Sequence, residues 1–430
     1  MDILKEILAN EVFPSIGCTE PISCAYTAAA AAEQLPSAVE KLELIVDPGT
    51  FKNGAAVTVP YSDGQKGNPV ACALGAFIAK SSLRLEILKE TTPEIRRKAV
   101  EFISKGNLKY SCKDDEKDFH IEVIAEGGGS RVHCIVSEGH TNITCLEKDG
   151  KSIIQSHPHA GSKEKGYRDV LRQMKLEEVL REAIKIDDET RAYIQKGVEM
   201  NLAIAEKGIT HNKLASQLRQ MAKEGAVSDN MAFRVKLSVA AGVDARMSGM
   251  PEPVMTSGGS GNQGILAILG PYLVGKEWGI DPKRIQESIA ISHAVNSYIK
   301  CFTGELSVIC GCAIAAGVST AVALVYQKAG IDMQKITFAV DNVIGDLCGI
   351  ICDGAKPGCA MKVTTGTETA IRSAIVALMG YGLSPDEGVL GKTAEESIRN
   401  LSTVSLRGMF QVDPTVINIL KNKVIRSGRA

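Results

Sequence analysis

Apolar positions in the first 35 residues recur at helical spacing in two stretches, "MDILKEILANEV" and "ISCAYTAAAAAEQ", parted by "FPSIGCTEP". At the break Thr19 suits an N-cap and Glu20 a first turn. Pro21 fits where a helix has no use for an N–H. Between residues 40 and 160 the period shortens to two. "KLELIVD" and "AAVTVP" predict strands joined by "PGTFKNG", and helices follow at "PVACALGAFIAKSSLRLEILKE" and "TPEIRRKAVEFISKG". The alternating stretch "FHIEVIAEGGGSRVHCIVSEGHTNITCLEKDGKSII", with turns at "GGG", "EGH" and "KDG", predicts an antiparallel meander.

Polar "SHPHAGSKEKGYRD" predicts a linker near residue 165, and from there to "TVINILKNKVIRSG" nearly every stretch has a helical period. No solenoid period is present. The expected fold is mixed α+β: a small α/β segment with an antiparallel meander, and a large, mostly α-helical domain. The expected division is 1–38 (N-terminal helices), 39–165 (α/β domain) and 166–430 (helical domain).

Four buried-looking helices begin with small residues: "CTEPISCAYTAAAA", "GSGNQGILAILG", "CGCAIAAGVSTAVALV" and "TTGTETAIRSAIVALMG". Unpaired N–H groups at such starts favour anions, so their convergence would make a site for a carboxylate or a negatively charged cofactor. Tight helix packing is the plainer use of the same residues. The run Leu306–Tyr326 is uncharged and long enough to span a bilayer, but it is rich in Gly, Ser and Cys and lacks an aromatic belt or basic flank. It reads as the buried helix of a helical domain.

Lys and Arg number 49 against 50 Asp and Glu, which gives no electrostatic case for nucleic acid or an anionic membrane. Aromatics are 4% of the chain and Gly numbers 41, so the core is expected to bring backbones close together. The N-terminus has no basic region followed by an apolar run, which predicts a cytoplasmic protein. In that compartment disulfides are rare, and clustered cysteines more often bind metal or react. Five of the twelve cysteines fall in "SVICGCAIAAG" and "GDLCGIICDGAKPGCAMKV". Most of the others are expected to pack as small apolar residues.

"GSGNQG" fits G-x-G-x-x-G, but "MPEPVMTSG" before it is a poor strand and helices surround it, so no dinucleotide site is expected. "EGGGS" more simply closes a hairpin. A structural zinc site prefers close pairs such as C-x2-C, which the spacing of Cys312, Cys352 and Cys359 does not offer. Iron–sulfur clusters accept thiolates at wider and more varied spacing. No Schiff-base lysine context for pyridoxal phosphate is evident.

"SIGCTEP", "DPGTFKNG", "EGHTNI", "SGGSGNQGI" and "ICDGAKPGCAMK" together resemble the L-cysteine desulfidase family, related to the iron–sulfur L-serine dehydratase α chain. The resemblance covers nearly the whole chain. It implies a lyase that uses a [4Fe–4S] cluster, not pyridoxal phosphate, to break L-cysteine into pyruvate, ammonia and sulfide. Carried over residue by residue, Cys312, Cys352 and Cys359 would ligate the cluster from the helical domain, with Cys310 and Cys348 as spare thiols. Cys312 is expected to begin a helix.

Cys18 precedes a helix N-terminus, which can lower a thiol pKa and make it the base for the α-proton. A fourth cluster ligand and a simply packed residue are the other roles open to it. His140, Asn142, Asn262, Gln263 and Asn53 are candidate substrate-binding residues, although Asn53 in "FKNG" also suits a turn. Lys356 and Lys362 would balance cluster charge or lie on the surface. Residues 1–38 would then pack on the helical domain, so that Cys18 reaches the cluster. The expected partner is a small amino-acid substrate, with no nucleic acid and no membrane; a homo-oligomer is compatible with the sequence. Rival readings are an L-serine dehydratase of the same architecture and a non-catalytic iron–sulfur or redox-sensing protein.

Overall fold

The computed structural model describes residues 2–116, 118–155, 166–211, 213–304 and 307–426. The fold is mixed α+β, as the pattern predicts. The linker and domain boundary expected at 156–165 lie outside the described residues.

The chain opens with α1 (Ile3–Glu11), β1 (Pro14–Ile16), α2 (Thr19–Ala32), β2 (Lys41–Val46), α3 (Pro48–Gly54), α4 (Asn68–Ile78) and α5 (Pro93–Ser104). Next come β3 (Leu108–Cys112), β4 (His120–Gly127), β5 (Ser130–Ser137), β6 (Ile143–Lys148) and β7 (Lys151–Gln155). Strands β2 to β7 form one sheet in the order β3-β2-β4-β5-β6-β7, parallel only between β2 and β3. The meander expected from the alternation is β4 to β7. Gly128 and Gly129, both at positive φ, make its first turn, because a two-residue hairpin turn of this hand favours residues without a Cβ.

Three local expectations need correction. "PGTFKNG" is a helix, not a link between strands, because Asp47 caps it through Thr50 N–H and Pro48 preorganises its first turn. "AAVTVP" forms only an isolated bridge between Thr58 and Lys66. The long helix expected from residue 69 stops at Ile78, with Ala79 in the left-handed region, and gives way to 3-10 turns over 81–90. Strand β3, which the apolar pattern did not signal, pairs with the sheet edge.

One sheet face is apolar and buried, through Leu42, Leu44, Ile121, Val123, Val132 and Leu146. Helices α2 and α4 cover it, so α2 packs on the sheet and not on the helical half as expected. The alanine run of α2 explains this. It lets α4 approach so closely that a Cβ on Gly75 would lie 2.0 Å from the Ala25 carbonyl oxygen.

The rest of the chain forms α6 (Gly166–Gln173), α7 (Leu176–Ala183), α8 (Asp188–Gly208), α9 (Leu214–Lys223), α10 (Met231–Met247), β8 (Pro253–Met255) and α11 (Gly261–Glu277). It continues as α12 (Pro282–Thr303), α13 (Ala315–Ala329), α14 (Met333–Leu347), α15 (Cys359–Leu378), α16 (Ala394–Thr403) and α17 (Val412–Arg426). Helix α13 is buried from Ala315 to Gln327 and is surrounded by α11, α12, α14 and α15. Among the described residues no helix is long and apolar enough to cross a membrane.

Two connections join the halves near the site. Strand β1 pairs antiparallel with β8, and Arg246 links the Gly17 carbonyl before α2 to Asn262 in the first turn of α11. Helix α17 returns to pack on α3, with Ile417 in the core of the sheet half.

Candidate active site

Two irregular segments bring the grouped cysteines together. Residues 307–314 lead into α13, and residues 348–358 join α14 to α15. They bridge antiparallel at Ile309 and Ile351. Cys310 N–H donates to the Ile350 carbonyl (2.8 Å), and Cys352 N–H to that of Val308 (2.7 Å). Cys359 opens α15, with its thiol 3.7 Å from the Gly354 carbonyl. Cys312 sits in the turn before α13, not at the first position of a helix as expected.

Cys310, Cys312, Cys352 and Cys359 lie within electrostatic reach of one another. The Cys312 thiol donates to Cys310. That bond, with support from Lys362, holds Cys310 below its ordinary value, while the same bond, burial and the neighbouring thiols push Cys312 well up. None of these thiols belongs to a trio of donor atoms within 4.8 Å of one another. Cys348, at the C-terminus of α14, packs against the helical core.

Lysines accompany the thiols. Lys356 pairs with Asp353 at 2.5 Å. Lys362 also pairs with Asp353 and donates to the Ile351 carbonyl at 2.7 Å. Both are partly buried. Lys52 on α3 is 2% exposed, pairs with Asp413 of α17 at 2.7 Å, and acts electrostatically on Cys352. It meets the cysteine loop at Gly354, whose φ is +92° and where a Cβ would lie 2.2 Å from the Lys52 carbonyl oxygen.

From the thiols a chain of contacts closes into a ring. The Ser260 hydroxyl, at the N-cap of α11, is 4.0 Å from the Cys312 sulfur. Gln263 packs on Gly311, where a Cβ would sit 2.8 Å from its Nε2, and its buried Oε1 has no partner. Asn262 Oδ1 accepts from Arg246 (3.0 Å), which also donates to the Gly17 carbonyl beside Cys18. The Cys18 thiol donates to Glu20 (2.9 Å), Asn53 donates to the other oxygen of Glu20 (2.9 Å), and Lys52 leads back to the cysteine loop.

Helices α2, α11, α13 and α15 start on this ring. None of their N-caps (Cys18, Ser260, Ile314 and Gly358) makes a side-chain capping bond. Asp47, Asp187, Asn230, Asp281 and Asp332 do cap α3, α8, α10, α12 and α14. No side-chain cap competes with an anion at these starts, and at α15 the N–H groups of Cys359, Ala360 and Met361 already bond the carbonyls of Lys356, Pro357 and Gly358. The start expected near Thr364 is instead at Cys359, and Thr364 lies inside α15.

The helix end, through the Glu20 backbone N–H, lowers the Cys18 thiol but is outweighed. Burial and the Glu20 charge push it well above its ordinary value, and Arg246 pulls it down less strongly. Burial pushes the Glu20 carboxyl up, but His140 and the bonds from Cys18 and Asn53 outweigh it and hold it below the usual range. His140 packs on Phe119 with ring centroids 4.7 Å apart and the planes tilted by 52°, and its carbonyl accepts from Ser23 on α2. Asn142 is exposed and bonds the Ser137 carbonyl of its own turn (3.1 Å), so the structure does not bring it to the ring. Sequence reasoning missed Arg246, Lys52 and the burial of Glu20. A charged residue inside an otherwise small or apolar stretch was the one available signal.

Residues 82–418 match the family model of the serine dehydratase alpha chain. The match takes in all the grouped cysteines and starts after Cys18 and Asn53. A UPF0597 protein of Geobacter sulfurreducens is 46% identical over 98% of this chain and 99% of its own length. Another, of Elusimicrobium minutum, is 44% identical over 99% of this chain and all of its own. One from Clostridium tetani is 37% identical over 98% of each. No solved structure matches the chain.

Proposed function

Because the chain belongs to the serine dehydratase alpha chain family, we propose that it is a lyase converting L-cysteine and water to pyruvate, ammonia and sulfide with a [4Fe–4S] cluster. Convergence of the cysteine thiols at uncapped helix starts carries this reading. The donor set fits the group: soft thiolates, nearby lysines, and uncapped helix starts suited to a net negative charge. Cys312, Cys352 and Cys359 would hold it. A cluster with three protein ligands supplies a Lewis-acidic iron for the substrate's β-substituent.

The chain's own residues do the rest. Open N–H groups at the start of α11 receive the substrate carboxylate, and the unpartnered Oε1 of Gln263 accepts from its ammonium. Asn262 holds Arg246 in place, and Asn53 holds Glu20. Cys18 acts as base only after its proton passes to Glu20, 2.9 Å away. The thiolate then takes the α-proton while the C–S bond breaks and sulfide leaves. Aminoacrylate tautomerises to the imine, and water releases ammonia.

The family's own description favours a second reading, serine as substrate, in which hydroxide leaves in place of sulfide. Anaerobic reconstitution with iron and sulfide, followed by assay with L-cysteine and L-serine in parallel, tests both. Turnover of cysteine well above serine supports the first reading, and the reverse the second.

A further inference from the structure

We propose that the outward face of the sheet carries a separate metal site, built from His133, Cys145 and Glu147, for a divalent transition ion of the zinc class. Strand register creates it. His133 on β5 lies directly opposite Glu147 on β6, and Cys145, two residues before Glu147, shares that face. Among the described residues this is the trio of His, Cys and acidic groups whose donor atoms all lie within 4.8 Å of one another.

Support for the histidine comes from the next strand. Glu122 on β4 contacts His133 Nε2 at 2.8 Å, and its other oxygen contacts His120 Nε2 at 3.2 Å. The Nδ1 of His133 is then the ring nitrogen left for an ion. A carboxylate behind a ligating imidazole fixes its tautomer and raises its basicity. The side chains of His133 and Glu122 are 31% and 18% exposed, so an ion can enter from solvent.

One sulfur, one nitrogen and one oxygen donor suit zinc or cobalt, whereas magnesium and calcium take oxygen ligands. Three protein ligands leave one position for water or an outside group. Binding releases the Cys145 thiol proton to solvent, and the sulfur coordinates as thiolate. A cross-strand Glu–His ladder alone would account for Glu122 and His133. It would not call for a thiol and a second carboxylate against the same imidazole. This site does not rest on the proposed lyase activity.

The test uses the full chain with Cys310, Cys312, Cys352 and Cys359 changed to Ser, stripped with chelator, so that these four grouped thiols cannot bind. Equilibrium dialysis against zinc is expected to give one equivalent, and cobalt a thiolate charge-transfer band. Cys145→Ser should abolish the band, and His133→Asn should weaken zinc binding at least tenfold. Glu122→Gln should weaken it about 10- to 100-fold. Circular dichroism checks that each variant is folded. Zinc affinity unchanged in folded Cys145→Ser and His133→Asn overturns the proposal, as does a folded parent that binds no zinc or gives no cobalt–thiolate band.

Discussion

Cys18 and Glu20 form a two-residue device in which a buried thiol is held protonated by a neighbouring carboxylate. Replacing Cys18 with Ser keeps a donor to Glu20 but gives a group far too weak an acid to become a base near neutral pH. With the cluster intact, α-proton exchange and sulfide release should both fall about a hundredfold to ten-thousandfold. A cluster spectrum altered before substrate is added would instead make Cys18 a ligand. Glu20→Gln removes a charge that raises the thiol pKa, so alkylation of Cys18 should begin at lower pH than in the parent. An unchanged pH profile for alkylation would contradict the pairing. The sequence identified Cys18 by its place before a helix. It could not give the sign of the pKa shift, because burial and Glu20 decide it. The place of Asn142 was illegible for a related reason: a turn residue's amide can satisfy its own loop, and spacing does not reveal which use prevails.

The elements that hold the site are short and irregular, which is why the apolar pattern disclosed them poorly. The meander and the long buried helices have clean periods and were legible. The helix over "PGTFKNG", strand β3 and the cysteine loops depend on a cap, an edge pairing and two cross-loop hydrogen bonds. The packing of α2 on the sheet was equally hidden, because an alanine-rich helix has no marked apolar face to say where it docks. Gly354 joins the cysteine loop to α3 where no side chain fits. Gly354→Ala should displace that loop, cost on the order of 1–3 kcal/mol and reduce iron incorporation. Parallel denaturant titration and iron analysis would check it, and a variant with full stability and iron content would contradict the close approach.

At the scale of the whole molecule, stability should respond to acid through a buried histidine. His293 on α12 is enclosed, with Nδ1 2.9 Å from the Ser257 hydroxyl, and burial lowers its pKa to about 4, against a weaker opposing pull from Glu11. An unfolded chain takes up that proton near pH 6.5. Its contribution is therefore complete above about pH 6.5 and is lost as pH falls toward about 4, by at most ~3 kcal/mol. Urea melts at pH 7 and pH 4.5 should show the loss, and His293→Gln should shrink the difference. An equal difference in the variant would assign the acid sensitivity to other groups.

The proposed lyase site joins the grouped thiols to the uncapped helix starts around them. The most direct test is simultaneous measurement of pyruvate and sulfide from L-cysteine by the anaerobically reconstituted chain, without pyridoxal phosphate. Equal amounts of the two products, formed only with iron bound and lost in Cys352→Ser, are the predicted result. A reconstituted chain with full iron content that forms neither product from L-cysteine, nor pyruvate from L-serine, would contradict it.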